Sequence, residues 1–140
     1  MERLMTQRKL FALLVSDGDN SFESLKGLLK FRGVEVRISR TCAEAARLMD
    51  QTRPHLIFTA TQHADGTWRD IITLAEKAAL ATNVIVVGKA KDVTLYIATM
   101  DYGAFDFILP PFESEPVGHV VRVAAEDVRR RREAALRAVA

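Results

Sequence analysis

The sequence predicts an α/β domain, a doubly wound parallel sheet of five strands covered by helices on both faces. Two observations carry this. Five short apolar runs recur along the 140 residues: LFALLV (10–15), VEVRI (34–38), HLIFTA (55–60), NVIVV (83–87) and FDFIL (105–109). They are rich in Val, Ile, Leu and Phe and mostly lack polar alternation, as strands buried on both faces do. A capped helical pattern follows each run, and five β/α units in series require a parallel sheet.

Each element has a local reason. The amino end, residues 1–8 of MERLMTQRK, is a charged tail, and the first run meets SDGDNS at once, so it reads as a strand and not a signal peptide. Asn20 with Glu23 matches the capping-box spacing ahead of Phe22, Leu25, Leu28 and Leu29, and Asp19 is an equally good cap. Thr41 with Glu44 opens the second helix, whose buried face is Ala45, Leu48 and Met49. Asp65-Gly66 is a turn signal before a third helix expected over 68–81. A fourth helix is expected over 92–102, closed by Gly103 where positive φ is wanted. The fifth run stops at Pro110-Pro111, because proline cannot donate to a ladder; the bond before Pro111 is a candidate cis peptide. Pro116 suits the first turn of a last helix, with Ser114 or Glu115 as its cap.

From Pro116 onward only Gly118 interrupts that helix, which at 1.5 Å per residue would run about 37 Å. Val117, Val121, Ala124, Val128, Ala135 and Val139 form its apolar stripe, broken by Arg131 and Arg132. The first half is expected to pack on the sheet and the second to project. The chain thus divides into a tail (1–8), one domain (9–125) and an extension of the last helix (126–140).

Composition bounds the function. With 49% hydrophobic and 27% charged residues the chain is globular, and a net charge of +2 does not point to nucleic acid. The run Arg129–Arg132 is flanked by Glu126, Asp127 and Glu133, with no aromatic interleaving and no helix-turn-helix pattern. It reads as a solvated helix end or a short coiled-coil seam rather than a nucleic-acid contact. One cysteine, Cys42, excludes an internal disulfide and reads as a small buried residue of a cytoplasmic protein. No apolar stretch approaches the ~20 residues of a membrane span. There is no Walker loop, dinucleotide fingerprint or nucleophile elbow. His55 and His119 have no companions at ligand spacing, and His63 reads as a solvated loop residue.

In a parallel sheet function gathers at the carboxyl ends of the strands. Those ends read Ser16-Asp17-Gly18-Asp19-Asn20, Thr59-Ala60-Thr61-Gln62, Gly88-Lys89 and Pro110-Pro111-Phe112. Together with RPHLIF and YGAFDFILPPF, they make residues 9–125 resemble the receiver domain of two-component response regulators. The resemblance implies a flavodoxin-like sheet, order 2-1-3-4-5, and a pocket for phosphoryl transfer. There a carboxylate becomes an aspartyl phosphate, acidic residues hold magnesium, and a Lys and a Thr or Ser hold the phosphoryl group.

Carried over by position, the phosphoacceptor falls on Ala60, the acidic pair on Asp17 and Gly18, the hydroxyl on Gly88 and the lysine on Pro110. Pro111 keeps the cis-proline and Phe107 the aromatic switch position. Asp17, Gly18, Asp19, Ala60, Gly88, Pro110 and Pro111 therefore form a degenerate pocket, with no catalytic residue, cofactor or metal expected. Asp19 could replace a lost metal ligand, but capping is its stronger reading, and Phe107 reads as packed because Gly88 has no hydroxyl to pull it. The resemblance places the output surface on the fourth helix, fifth strand and fifth helix, here Tyr96, Met100, Phe107, Val121 and Val128. The expectation is a cytoplasmic, non-enzymatic pseudo-receiver acting on a protein partner or on a fused effector or kinase domain, with self-pairing of the projecting helix as a homodimer option. The rival is a small-ligand or nucleotide binder using space opened by Ala60 and Gly88; a displaced phosphoacceptor is less favoured.

Overall fold

The computed structural model describes residues 9–139; the tail 1–8 and Ala140 lie outside the described residues. The elements run β1 (Phe11–Val15), α1 (Asn20–Phe31), β2 (Glu35–Ser39), α2 (Cys42–Thr52), β3 (Leu56–Ala60), β4 (Gln62–His63), β5 (Gly66–Thr67), α3 (Trp68–Glu76), β6 (Asn83–Val87), α4 (Val93–Tyr102), β7 (Asp106–Ile108) and α5 (Ser114–Val139). The main sheet is parallel, ordered β2-β1-β3-β6-β7. Counting only its five strands, this is the flavodoxin-like order 2-1-3-4-5. The two-residue strands β4 and β5 form a small antiparallel hairpin beside it.

Every residue of β3 and β6 is buried, which explains their unbroken apolar character. On one face Leu14, Phe58 and Ile85 meet Phe22, Leu25 and Leu29 of α1 and Val117, Val121 and Ala124 of α5. On the other, Leu13, Ile57 and Val86 meet Ala45 and Leu48 of α2 and Ile71 and Ile72 of α3. Each fully buried Leu or Ile contributes about 1.5–3 kcal/mol over an exposed one, so these two layers hold the fold.

The helix starts follow the sequence closely, with instructive differences. Asp19, not Asn20, caps α1, its Oδ1 accepting from the Ser21 N–H at 2.8 Å. Thr41 caps α2, accepting from the Glu44 N–H at 3.1 Å. Asp65 does more than turn the chain: its carboxylate accepts the Cys42 and Ala43 N–H groups at 2.7 and 3.0 Å, sealing α2 from a distant loop. Thr67 and Asp70 make a capping box on α3, and Gly103 closes α4 with φ +121°. The peptide between Pro110 and Pro111 is cis.

The third helix ends at Glu76 instead of near residue 81. Ala78–Ala81 favours a helix by composition, but tertiary bonds claim the segment: the Ala81 carbonyl accepts from Arg132 Nε at 2.9 Å, and the Thr82 hydroxyl donates to the His55 carbonyl at 3.2 Å. Propensity gives way to such contacts.

The second half of the arginine run is not simply a solvated helix end. Arg132 donates to the carbonyls of Ala81, Arg53 and Pro54, and Arg131 donates to Asn83 Oδ1 at 2.6 Å and Asp127 Oδ2 at 2.9 Å. Asn83 in turn donates to the Ala124 carbonyl and to Asp127, each at 3.0 Å. Burial alone would raise the Asp127 carboxyl, but the bonds from Asn83 and Arg131 outweigh it and hold it below the usual carboxylate range. The body therefore grips α5 as far as Arg132, and the exposed extension begins at Glu133 rather than at 126. No helix among the described residues is long and apolar enough to cross a membrane.

Candidate functional site

The carboxyl ends of β1, β3 and β6 bring Asp17, Asp19, Ala60 and Gly88 to one end of the sheet, with a residue the sequence did not single out, Lys89. In the turn after β1, Ser16 Oγ accepts the Gly18 N–H and Asp17 Oδ1 accepts the Asp19 N–H, both at 2.9 Å. Lys89 Nζ lies 3.2 Å from Asp17 Oδ2 and 4.0 Å from Asp19 Oδ2. Asp19 Oδ1 is already the cap of α1, and the hydrogen bonds from Ser21 hold its carboxyl below the ordinary range. All four carboxylate oxygens thus have partners within the chain.

The positions that lack a functional side chain are filled by others. Gly18 has φ +92°, which disfavours any side chain, and a Cβ there would lie 2.7 Å from Arg40 Nη2. A Cβ on Gly88 would lie 2.5 and 2.8 Å from Phe107 Cζ and Cε2, and 2.9 Å from Leu109 Cδ2. The Phe107 ring occupies the room a Thr or Ser would need, and packs edge-on to Tyr96 with centroids 6.0 Å apart. Ala60 is 1% exposed, paired in register with Val87, its methyl within the apolar cluster under α1 and α5. Pro110 offers neither charge nor donor.

These residues do not fit a magnesium ion. It prefers six oxygen ligands in octahedral array, and here the two nearest carboxylates are committed, Gly18 and Ala60 supply no carboxylate, and an ammonium sits between the acids.

His63 departs from its expected solvated state. The Thr59 hydroxyl donates to the Ala60 carbonyl at 2.9 Å, and its oxygen lies within hydrogen-bond distance of His63 Nε2, also at 2.9 Å. Nδ1 is enclosed, with no hydrogen-bond partner among the described residues. Burial lowers the ring's pKa despite the opposing pull of Asp17 and Asp65. The β4–β5 hairpin folds this loop back, which single-residue reading of QHADGT does not reveal. Beside it lies a shallow groove of about 370 Å³, lined by Asp17, Arg40, Thr41, Gln62, His63 and Ala64.

Cys42 is inert, its thiol pushed up to about 11 by burial and then by Asp65. At the opposite end of the sheet His55 Nδ1 accepts the Phe11 N–H at 3.2 Å; burial, then Arg132 and Arg129, push the ring down to about 4.

The expected output surface needs correcting. Tyr96 is 47% exposed, Met100 and Phe107 are half-buried, but Val121 and Val128 are 5% and 0% exposed. These two valines belong to the stripe that packs α5 on the sheet, so they cannot meet a partner. The apolar surface instead follows α4, where Val93, Ile97 and Tyr102 are exposed along with Tyr96.

No protein-family model matches the chain, and no curated protein matches it by sequence. Solved structures resemble it closely in shape. The signal receiver domain of an HD domain-containing protein from Pseudomonas fluorescens superposes with a TM-score of 0.80 at 18% identity, covering 90% of this chain and 93% of that one. A CheY-like response regulator receiver domain protein from Methanospirillum hungatei gives 0.75 at 19%, covering 87% and 98%. NtrX from Brucella abortus gives 0.81 at 20%, covering 91% of this chain but only 29% of that longer one. At these identities the likeness establishes the fold.

Proposed function

From the receiver fold and its altered pocket, we propose that this chain is a non-catalytic pseudo-receiver that acts by protein–protein contact without being phosphorylated. One observation carries the reading. Where the fold would present its phosphoacceptor, at the carboxyl end of the central strand, stands the buried methyl of Ala60, which has no nucleophilic atom. The neighbouring substitutions support it, since the seat of the missing hydroxyl is filled by Phe107 and the missing lysine is Pro110.

The contact surface is α4, with Tyr96 and Ile97 at its centre and Phe107 beneath Tyr96. The partner is a protein in the cytoplasm or a fused effector or kinase domain. The receiver-like parts of the HD domain-containing protein and of NtrX support the fused arrangement, because each belongs to a longer protein. The exposed stretch from Glu133 to Val139 is the natural lead into such a domain, or a surface for pairing with a second copy.

The small-ligand reading would use space beside Ala60 and Gly88. Phe107 fills the space beside Gly88, which weighs against it there, while the groove lined by Asp17, Arg40 and His63 is open to a small molecule.

The test is an amide ¹H–¹⁵N spectrum with and without magnesium and beryllium trifluoride, which mimics a phosphoryl group on a carboxylate. Unchanged resonances at Asp17, Ala60, Gly88 and Phe107 are expected. A saturable shift across these four, together with movement of α4, would show a responsive pocket and overturn the reading.

A further inference from the structure

We propose that Lys89 is a tethered cation that takes the place of a divalent metal ion in this pocket. It holds the loop between β6 and α4 against the loop between β1 and α1.

Oxygen-by-oxygen accounting carries the inference. Asp17 Oδ1 binds the Asp19 N–H and Asp19 Oδ1 binds the Ser21 N–H, so each carboxylate uses one oxygen to build the turn and start α1. The two remaining oxygens converge on Lys89 Nζ, at 3.2 and 4.0 Å. A magnesium ion entering here would have to displace the ammonium, and using the inner oxygens would draw charge from carboxylates already accepting two backbone N–H groups. Gly18 and Ala60 would repay none of this, and the Ala60 carbonyl already accepts the Thr59 hydroxyl. Arg40, against Gly18, adds a second positive charge on the same side, which further repels a dication.

Tethering changes the physics. A free ion fills its site according to its concentration, whereas a lysine on the adjacent loop competes at a high effective concentration whatever the medium contains. Asp17 is the better sheltered partner, with its side chain 15% exposed against 66% for Lys89. Because the Lys89 end is largely exposed, the contact adds little to stability; its effect is to occupy the site. Since α4 begins at Val93, four residues after Lys89, the same contact sets where the loop enters the proposed contact helix. The inference goes beyond the phosphorylation-independent reading, because it concerns magnesium alone.

The experiment titrates magnesium chloride, without any phosphodonor, into the wild type, Lys89→Met and Lys89→Arg, following the Asp17 and Asp19 amides. The wild type and Lys89→Arg should show no saturable shift through the millimolar range. Lys89→Met should show one, with an affinity at least about tenfold above the limit that the wild-type titration sets. If wild type and Lys89→Met respond alike, whether both shift or neither does, Lys89 is not what excludes the ion. Such a failure would leave the Ala60 conclusion untouched, because magnesium alone does not test for an acceptor.

Discussion

Gly88→Ala adds one methyl group to a space the Phe107 ring already fills. The new Cβ would sit 2.5 Å from Phe107 Cζ, about 1 Å inside ordinary van der Waals contact, so the ring or the strand must retreat. Overpacking of this kind costs about 1–3 kcal/mol. Alanine also narrows the unfolded ensemble, which returns about 0.4–1 kcal/mol where the backbone accepts it. Gly88 is not among the glycines with positive φ, so that gain applies, and the net expectation is a loss of about 0.5–2 kcal/mol. Urea unfolding followed by Trp68 fluorescence is a suitable assay, because this single tryptophan is buried and packs edge-on to Tyr102 at 5.6 Å. The decisive comparison is the same substitution in a Phe107→Ala background. With the ring gone only the close approach to Leu109 Cδ2 remains, so most of the cost should disappear, giving a coupling energy of about 1–2 kcal/mol. An equal cost in both backgrounds would refute the view that Phe107 occupies the seat beside Gly88.

The remaining predictions concern the scaffold. His55 is held near a pKa of about 4 in the fold against 6.5 as its ordinary value, so the unfolded chain binds more protons between those pH values and stability falls as pH drops from about 6.5 towards 4. Discounted for partial exposure, the loss is about 1–2 kcal/mol; His55→Asn, which retains an acceptor for the Phe11 N–H, should flatten the dependence of Tm on pH over that range. Arg132→Ala leaves the carbonyls of Ala81, Arg53 and Pro54 without this donor and should cost about 2–3 kcal/mol in urea. Arg130→Ala, which removes only an exposed contact with Asp127, should cost less than about 0.5 kcal/mol in the same assay. Asp65→Ala removes the acceptor for two N–H groups at the start of α2, and thermal unfolding should show a lowered Tm.

The strands and most helix starts were legible in the sequence because their signals are local. A run such as NVIVV has no polar face to offer solvent, and Thr41 reaches its own Glu44 N–H whatever the rest of the chain does. The places of Ala60 and Gly88 at the strand ends, and of Pro110 just past the last strand, were legible for a related reason: they follow from the register of the strands. What replaced the lost groups was not legible. Lys89, Arg40 and Asp65 act through side chains that cross from one loop to another, and spacing along the chain does not encode that reach. Val121 and Val128 lie in the core, as their own stripe marks them, and not on the surface that the family resemblance implies, because α5 turns that stripe onto the sheet. The third helix was overextended because Ala78–Ala81 has a helical composition that the contacts of Arg132 and Thr82 override.

The central claim is that no residue at this sheet end accepts a phosphoryl group, and intact mass tests it most directly. The chain, incubated with acetyl phosphate and magnesium and measured without delay, should keep its unmodified mass. A stoichiometric gain of one phosphoryl group, lost again at alkaline pH as an acyl phosphate would be, would contradict the claim and place an acceptor carboxylate elsewhere in the pocket.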